Sequence, residues 1–166
     1  TQDMGVLATQ VQSDYLDRAA TVLAFDHHWK PDQRWDVVTQ FVGSAVDQRG
    51  VTGRDTGMQI RINNELSTRW RQNLYFLHLG DGLQLNDFGY LERNNLNYLR
   101  YEMRRRVTDL PHNSRFRSHD WGYVISTRHN DHGDTIHSAL QLQRTSETTR
   151  GGNESLVLTG LTAGYD

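Results

Sequence analysis

The sequence predicts an all-β protein, an antiparallel up-and-down meander of about eight strands, and three observations carry that prediction. Gly, Asp and Pro clusters break the chain repeatedly, at Lys30 to Arg34, Asp47 to Gly57, Gly80-Asp81-Gly82, Asp109 to Asn113, Asn130 to Asp134 and Arg150 to Asn153. Between the breaks, Met58 to Leu66 sets Met58, Ile60, Ile62 and Leu66 on one face against Gln59, Arg61, Asn63 and Glu65 on the other, the period of a half-buried strand. Four Trp, seven Tyr and five Phe supply bulky apolar groups that a disordered chain would lack.

Residues 1–19 form a lead-in whose Val11, Tyr15, Leu16 and Ala19 suit an amphipathic helix as well as a strand. From residue 20 to 166 the β pattern holds. Thr21 to Trp29 and Trp35 to Val46 flank the first proline turn. Met58 to Leu66 and Trp70 to Leu79 flank Ser67-Thr68-Arg69. Leu96 to Val107 offers Leu96, Leu99 and Met103 at helical spacing, but Tyr98, Tyr101 and Val107 fit a pleated surface, and the strand reading is preferred. Trp121, Tyr123 and Ile125 alternate, as do Ile136, Leu140 and Leu142 less regularly, and Leu156 to Gly164 is rich in Leu, Val, Thr and Gly.

Composition narrows the function classes. The 166 residues carry a formal net charge of -2, so no electrostatic excess points to nucleic acid. With no Cys there is no disulfide framework, thiolate metal site or cysteine nucleophile. No signal peptide opens the chain, and a start on Thr1 is expected to follow a removed leader or a preceding domain. No run approaches the ~18 apolar residues of a transmembrane helix. A transmembrane β-barrel is compatible with the low mean hydropathy of -0.75, because its strands alternate lipid-facing and lumen-facing residues.

Trp29, Trp35 and Trp70 stand at strand ends beside short connections, where a barrel carries its aromatic girdle; the same placement also caps the core of a soluble sheet. Short turns at 30–34 and 67–69 against longer loops at 47–56 and 80–95 match the two ends of such a barrel, although the alternation fades after Val107. Asp26 shares a face with Val22 and Ala24 beside His27 and His28, so in a barrel these residues must point into the lumen or sit near the rim.

The most distinctive segment is Leu83-Gln84-Leu85-Asn86-Asp87-Phe88-Gly89-Tyr90-Leu91-Glu92-Arg93-Asn94-Asn95-Leu96. Asn86 and Asp87 can accept bonds from nearby backbone N–H groups, Gly89 relieves a turn or bulge, and Phe88, Tyr90 and Leu91 can anchor a long loop to the sheet, with Arg93 placed to pair with Asp87 or Glu92. Asn94 completes the motif. A structural knot at the base of the loop is preferred over a ligand site. This segment resembles a motif of bacterial outer-membrane proteins of unassigned function that have an N-terminal family 9 type carbohydrate-binding domain and a C-terminal β-barrel. Val22 to Asp26, Gln40 to Ser44 and Trp70 to Gly80 resemble flanking barrel strands of that family. Phe88, Tyr90 and Asn95 are conservative departures from it. The resemblance implies an outer-membrane location, lipid as the surrounding partner, a glycan reached through a carbohydrate-binding domain outside this chain, and no catalytic mechanism.

Other chemistry is weakly encoded. Asp26-His27-His28 and the stretch His129 to His137 gather imidazoles and carboxylates of the kind that bind zinc or copper, yet Asn130 to Asp134 reads equally as a hairpin connection. Asp81, Asp87 and Glu92 are near in sequence, as a glycosidase pair would be, without a nucleophile-and-base pattern. Arg100, Arg104, Arg105 and Arg106 suit anionic lipid headgroups or, preferably, a lumen wall or solvated strand end. No cofactor, metal ligand or catalytic residue is assigned. The leading expectation is an outer-membrane barrel segment serving as anchor or passage. A soluble all-β carbohydrate-binding module comes second, and a metal- or carboxylate-dependent hydrolase third.

Overall fold

The computed structural model describes residues 1–85, 93–162 and 164. They form nine strands: β1 (Gln2–Ser13), β2 (Arg18–Trp29), β3 (Trp35–Gln48), β4 (Val51–Glu65), β5 (Trp70–Leu79), β6 (Leu96–Val107), β7 (Phe116–His129), β8 (Thr135–Thr148) and β9 (Asn153–Leu161). Each pairs antiparallel with the next in a single sheet of order β1 to β9. The sheet is not closed: β1 and β9 are its two edges and do not meet. The all-β meander expected from the sequence is therefore the architecture, with nine strands in place of about eight.

The additional strand lies in the undecided N-terminal stretch. β1 pairs along its whole length with β2, from Gln2 opposite Trp29 to Ser13 opposite Arg18. The turn between them uses Asp17 at φ 47, a left-handed conformation that Asp tolerates better than most side chains. The helical spacing of Val11, Tyr15 and Leu16 is overridden because pairing with β2 satisfies the backbone groups on that side of the segment along its whole length, whereas an isolated short helix has no partner to bury its stripe.

The long loop expected at 47–56 is also replaced by strand. Asp47 and Gln48 end β3, Val51 to Asp55 begin β4, and only Arg49 and Gly50 turn the corner. Their φ values of 53 and 76 are those of a two-residue type I′ hairpin. Asp47 closes it, its carboxylate accepting from the Gly50 N–H at 3.2 Å and the Thr52 hydroxyl at 2.9 Å. The Gly and Asp that looked like loop signals are hairpin chemistry in long strands.

The turn at one end of β2 and β3 is built as the sequence indicated: Asp32 accepts from the N–H groups of Arg34 and Trp35 at 2.7 and 3.1 Å. Ser67 does the same for Arg69 and Trp70 in the β4–β5 turn. That end of the sheet gathers the connections 30–34, 66–69, 108–115 and 149–152, while 14–17, 49–50, 80–95 and 130–134 gather at the other. Short and long connections thus occur at both ends, so loop length does not sort them as expected.

Because cross-strand partners share a face, the register separates the residues into two sets. One face, here the apolar face, carries Met4, Val6, Leu23, Phe25, Trp29, Trp35, Phe41, Met58, Ile60, Ile62, Leu74, Phe76, Leu99, Tyr123, Ile125, Leu140, Leu156 and Leu158. The other, the polar face, carries Asp3, Asp26, Asp36, Gln40, Gln59, Arg61, Arg71, Arg100, Glu102, Arg104, Arg106, Asp120, Arg128, Gln141 and Gln143. Among the described residues, the buried apolar side chains Ala20, Val22, Val46, Leu83 and Val124 lie on or against the polar face, not the apolar one. The apolar side chains remain open: Leu23 is 58% exposed, Ile125 59% and Leu140 61%.

Candidate functional surfaces

The exposed large apolar residues of the strands fall on the apolar face, apart from Leu7, Val11, Val157 and Leu161 on the edge strands and Val51 beside a hairpin tip. They make a band that runs obliquely across the sheet. On β1 its centre is Val6, between Met4 and Ala8. Following the register through Phe25, Phe41, Met58, His78 and Asn97 leads to His129 on β7, yet the apolar triplet of β7 is centred on Tyr123. The drift is about six residues over about six strand steps, or ~20 Å along the strands against ~29 Å across them, a slope of ~35°.

All four tryptophans stand on this face, at one edge of the band. Trp29, Trp35 and Trp70 occupy the expected strand ends. Trp121, read in the sequence only as part of an alternation, joins them because it shares a register row with Trp70 through Arg105. Arg105 lies over the Trp70 ring at 5.3 Å and Arg144 over Trp121 at 5.6 Å, so guanidinium and indole alternate along that edge. Among the described residues, no Asp, Glu, Lys or Arg of the apolar face falls inside the band; Asp47 and Arg54 lie beyond one edge, and Arg105, Arg144 and Glu154 at or beyond the other. The less apolar members within it are His27, bonded to Gln2 at 3.0 Å, and Gln72, bonded to Asn64 at 3.3 Å and to the Tyr101 hydroxyl at 3.0 Å, with Thr39, Thr127 and Ser138.

Of the sequence motif, Asn86, Asp87, Phe88, Gly89, Tyr90, Leu91 and Glu92 lie outside the described residues, as does the suggested pairing of Arg93 with Asp87 or Glu92. What precedes and follows them is built into the polar face. Leu83 is 1% exposed and packs over Gly57, where a Cβ would come within 3.0 Å of its side chain. The Gln84 N–H donates to the Ser44 hydroxyl at 3.0 Å, the Gly82 N–H to Asp55 at 2.8 Å, and the Arg18 guanidinium to the Gln84 side chain at 3.0 Å. Gly80 is required by this close approach, since a Cβ there would run into the Asp55 carboxylate, and one at Gly82 would crowd it at 3.2 Å. Asn94 donates to the Asp81 carbonyl at 2.6 Å and closes the base of the loop. Asp131 fixes it from the next connection, accepting from Asn97 at 2.7 Å and from the Asp81 N–H at 3.1 Å. The loop residues up to Leu85 thus fold across the polar face rather than away from the sheet.

The arginine run of β6 divides between the faces, because adjacent strand residues point oppositely. Arg100, Arg104 and Arg106 join Arg71 on the polar face, and Arg105 alone joins the tryptophans. Glu102, whose side chain is only 10% exposed, accepts from Arg100 at 2.6 Å and from Arg104. Asp26 is on the polar face, as its alternation with Val22 and Ala24 indicated, and so is His28, which bonds Asp36 at 2.7 Å; His27 is on the opposite face. The imidazole-rich stretch does not converge: His129 contacts Thr127 and Thr135, Asp134 bonds Asn130, and Asp131 holds the loop. Among the described residues, no group of three or more His, Cys, Asp or Glu is placed to hold a metal ion. Asp81 meets the Asp55 carboxylate at the base of the loop, and Asp87 and Glu92 lie outside the described residues.

No helix among the described residues is long and apolar enough to cross a membrane. Comparison with known proteins adds no relative: no family model, curated protein or solved structure matches the chain.

Proposed function

We propose that this chain is a section of an outer-membrane β-barrel, with the apolar face against lipid and the polar face lining the lumen, serving as membrane anchor or passage for a glycan-associated surface protein. The observation that carries the proposal is the oblique, charge-free apolar band edged by tryptophan. In a barrel, strands tilt by about 35–45°, so a horizontal lipid zone must cross them on a slope, as this band does at ~35°. Indole suits the headgroup level, with its ring in the apolar zone and its N–H toward water. Arg105 and Arg144 fit the same level, where a cation costs little and meets phosphate.

The alternative of a soluble carbohydrate-binding sheet requires the apolar face to be covered by a second sheet or the aromatic groups to be gathered as a sugar platform. This chain folds as one sheet, and its aromatic residues are spread along a band more than five strands wide. The glycan association and the bacterial outer-membrane location rest on the resemblance of the Leu83 to Leu96 segment. The test is to refold the chain, with its native flanking sequence, in detergent micelles. A β-rich species whose gel mobility changes on heating supports the barrel; a detergent-free soluble monomer with cooperative unfolding overturns it.

A further inference from the structure

Resting on the reading of the polar face as a lumen wall, we propose that the part of it formed by β4 to β7 is a binding track for small solutes bearing phosphate or carboxylate oxyanions. Two cavities of about 380 Å³ each lie side by side on this face and share Arg71 and Arg104. Arg106 lines the first and Arg100 the second. The carboxylates available to them are three against four guanidiniums: Glu65 pairs with Arg71 at 3.1 Å, Asp120 lines the first cavity opposite Arg106 in the register, and the single Glu102 serves both Arg100 and Arg104. Each guanidinium has five N–H donors, so these pairings leave donors turned toward the cavities.

The cationic character is local to this wall. On β1 to β3 the same face bears Asp3, Asp26 and Asp36 against Arg18 alone. A solute crossing between them meets opposite fields on its two sides, which orients a molecule charged at one end. The cations are also of the type that grips oxyanions in forked fashion: the sequence's one lysine, Lys30, lies in a turn, and the wall is built from arginine alone. Neutral donors complete the lining, with Gln143 and Thr145 in the first cavity and Asn63 and Asn73 in the second. Gly122 keeps the floor of the first open, since a Cβ there would come within 2.8 Å of the Gln143 side chain.

The experiment uses the chain refolded in nonionic micelles at low salt, first checked for heat-modifiable mobility, then titrated calorimetrically with glucose 6-phosphate and with glucose. Glucose 6-phosphate is expected to bind and glucose not, with affinity falling steeply as salt is added. Arg71→Gln is expected to weaken binding about tenfold, the loss of one charge-assisted contact. Glu102→Gln, which removes the carboxylate that Arg100 and Arg104 share, is expected to strengthen it, and Arg54→Gln on the opposite face to leave it unchanged. Phosphatidylglycerol in the micelles is expected not to compete. A heat-modifiable species that binds both sugars alike, binds neither, ignores Arg71→Gln or loses the ligand to phosphatidylglycerol overturns the oxyanion track alone. Absence of the heat-modifiable species overturns the barrel reading beneath it.

Discussion

Placing an arginine at successive positions of β7 separates a lipid-facing strand from a water-facing one. Ile125 is 59% exposed on the apolar face, with Tyr101 and Leu140 as its cross-strand partners. It lies about four residues from Trp121, hence ~13 Å along the strand and ~10 Å in depth at the tilt of the band, close to the middle of a ~25 Å hydrocarbon zone. Ile125→Arg there should cost about 2–4 kcal/mol. If the same face met water, the change would remove an exposed apolar group and stay within about 0.5 kcal/mol. Ser126 points the other way, so Ser126→Arg should also be nearly neutral in a barrel. The assay is urea-induced unfolding of each variant in phospholipid vesicles, followed by tryptophan emission. The expected contrast is a large loss at Tyr123 and Ile125 against little at Ser126; Val124 is no control, because its side chain is buried and an arginine there is overpacked on either reading. Equal and small effects at Ile125 and Ser126 would refute the assignment of the faces.

Three further outcomes follow from the loop and the turns. Gly57→Leu puts side-chain atoms where Leu83, Val42 and the His78 carbonyl already stand within 3.0–3.2 Å, so it should unseat the loop at a cost of about 1–3 kcal/mol, seen as faster proteolysis between residues 80 and 95. Asp131→Ala removes two acceptors that hold the loop base and should expose the same sites while leaving the strands protected from hydrogen exchange. Gly50→Ala at φ 76 should destabilise the β3–β4 hairpin by about 1 kcal/mol, measured as a lower urea midpoint with unchanged slope.

The strands were legible where one face is strictly apolar and the other strictly polar, as in Met58 to Ile62, and where tryptophan marks an end, as at Trp29, Trp35 and Trp70. β6 could be recognised despite its helical spacing because Tyr98 and Tyr101 satisfy a pleated surface, and they do so against Leu77 and Leu74. β1 was not legible, since most of its residues are polar or small and its conformation is set by pairing with β2 rather than by its own pattern. The β3–β4 hairpin was hidden because Gly and Asp serve both loops and type I′ turns, and only the register distinguishes them. The place of Trp121 depends on Trp70 lying two strands away, and the division of the Arg104 to Arg106 run between faces depends on knowing which residue starts the alternation. Neither is local information. The inward fold of residues 80–85 rests on Ser44, Asp55 and Gly57, far from them in sequence, so the motif's prominence located the loop without giving its direction.

The central claim is that the tryptophan edge of the band sits at a lipid–water interface, and the native fluorophores can measure it directly. The chain is reconstituted in vesicles containing lipid spin-labelled either high on the acyl chain, near the headgroups, or deep, near the bilayer centre. With all four tryptophans along one edge of the band, the shallow label should quench their emission strongly and the deep label weakly. Emission that neither label quenches, while a water-soluble quencher does, would contradict the account.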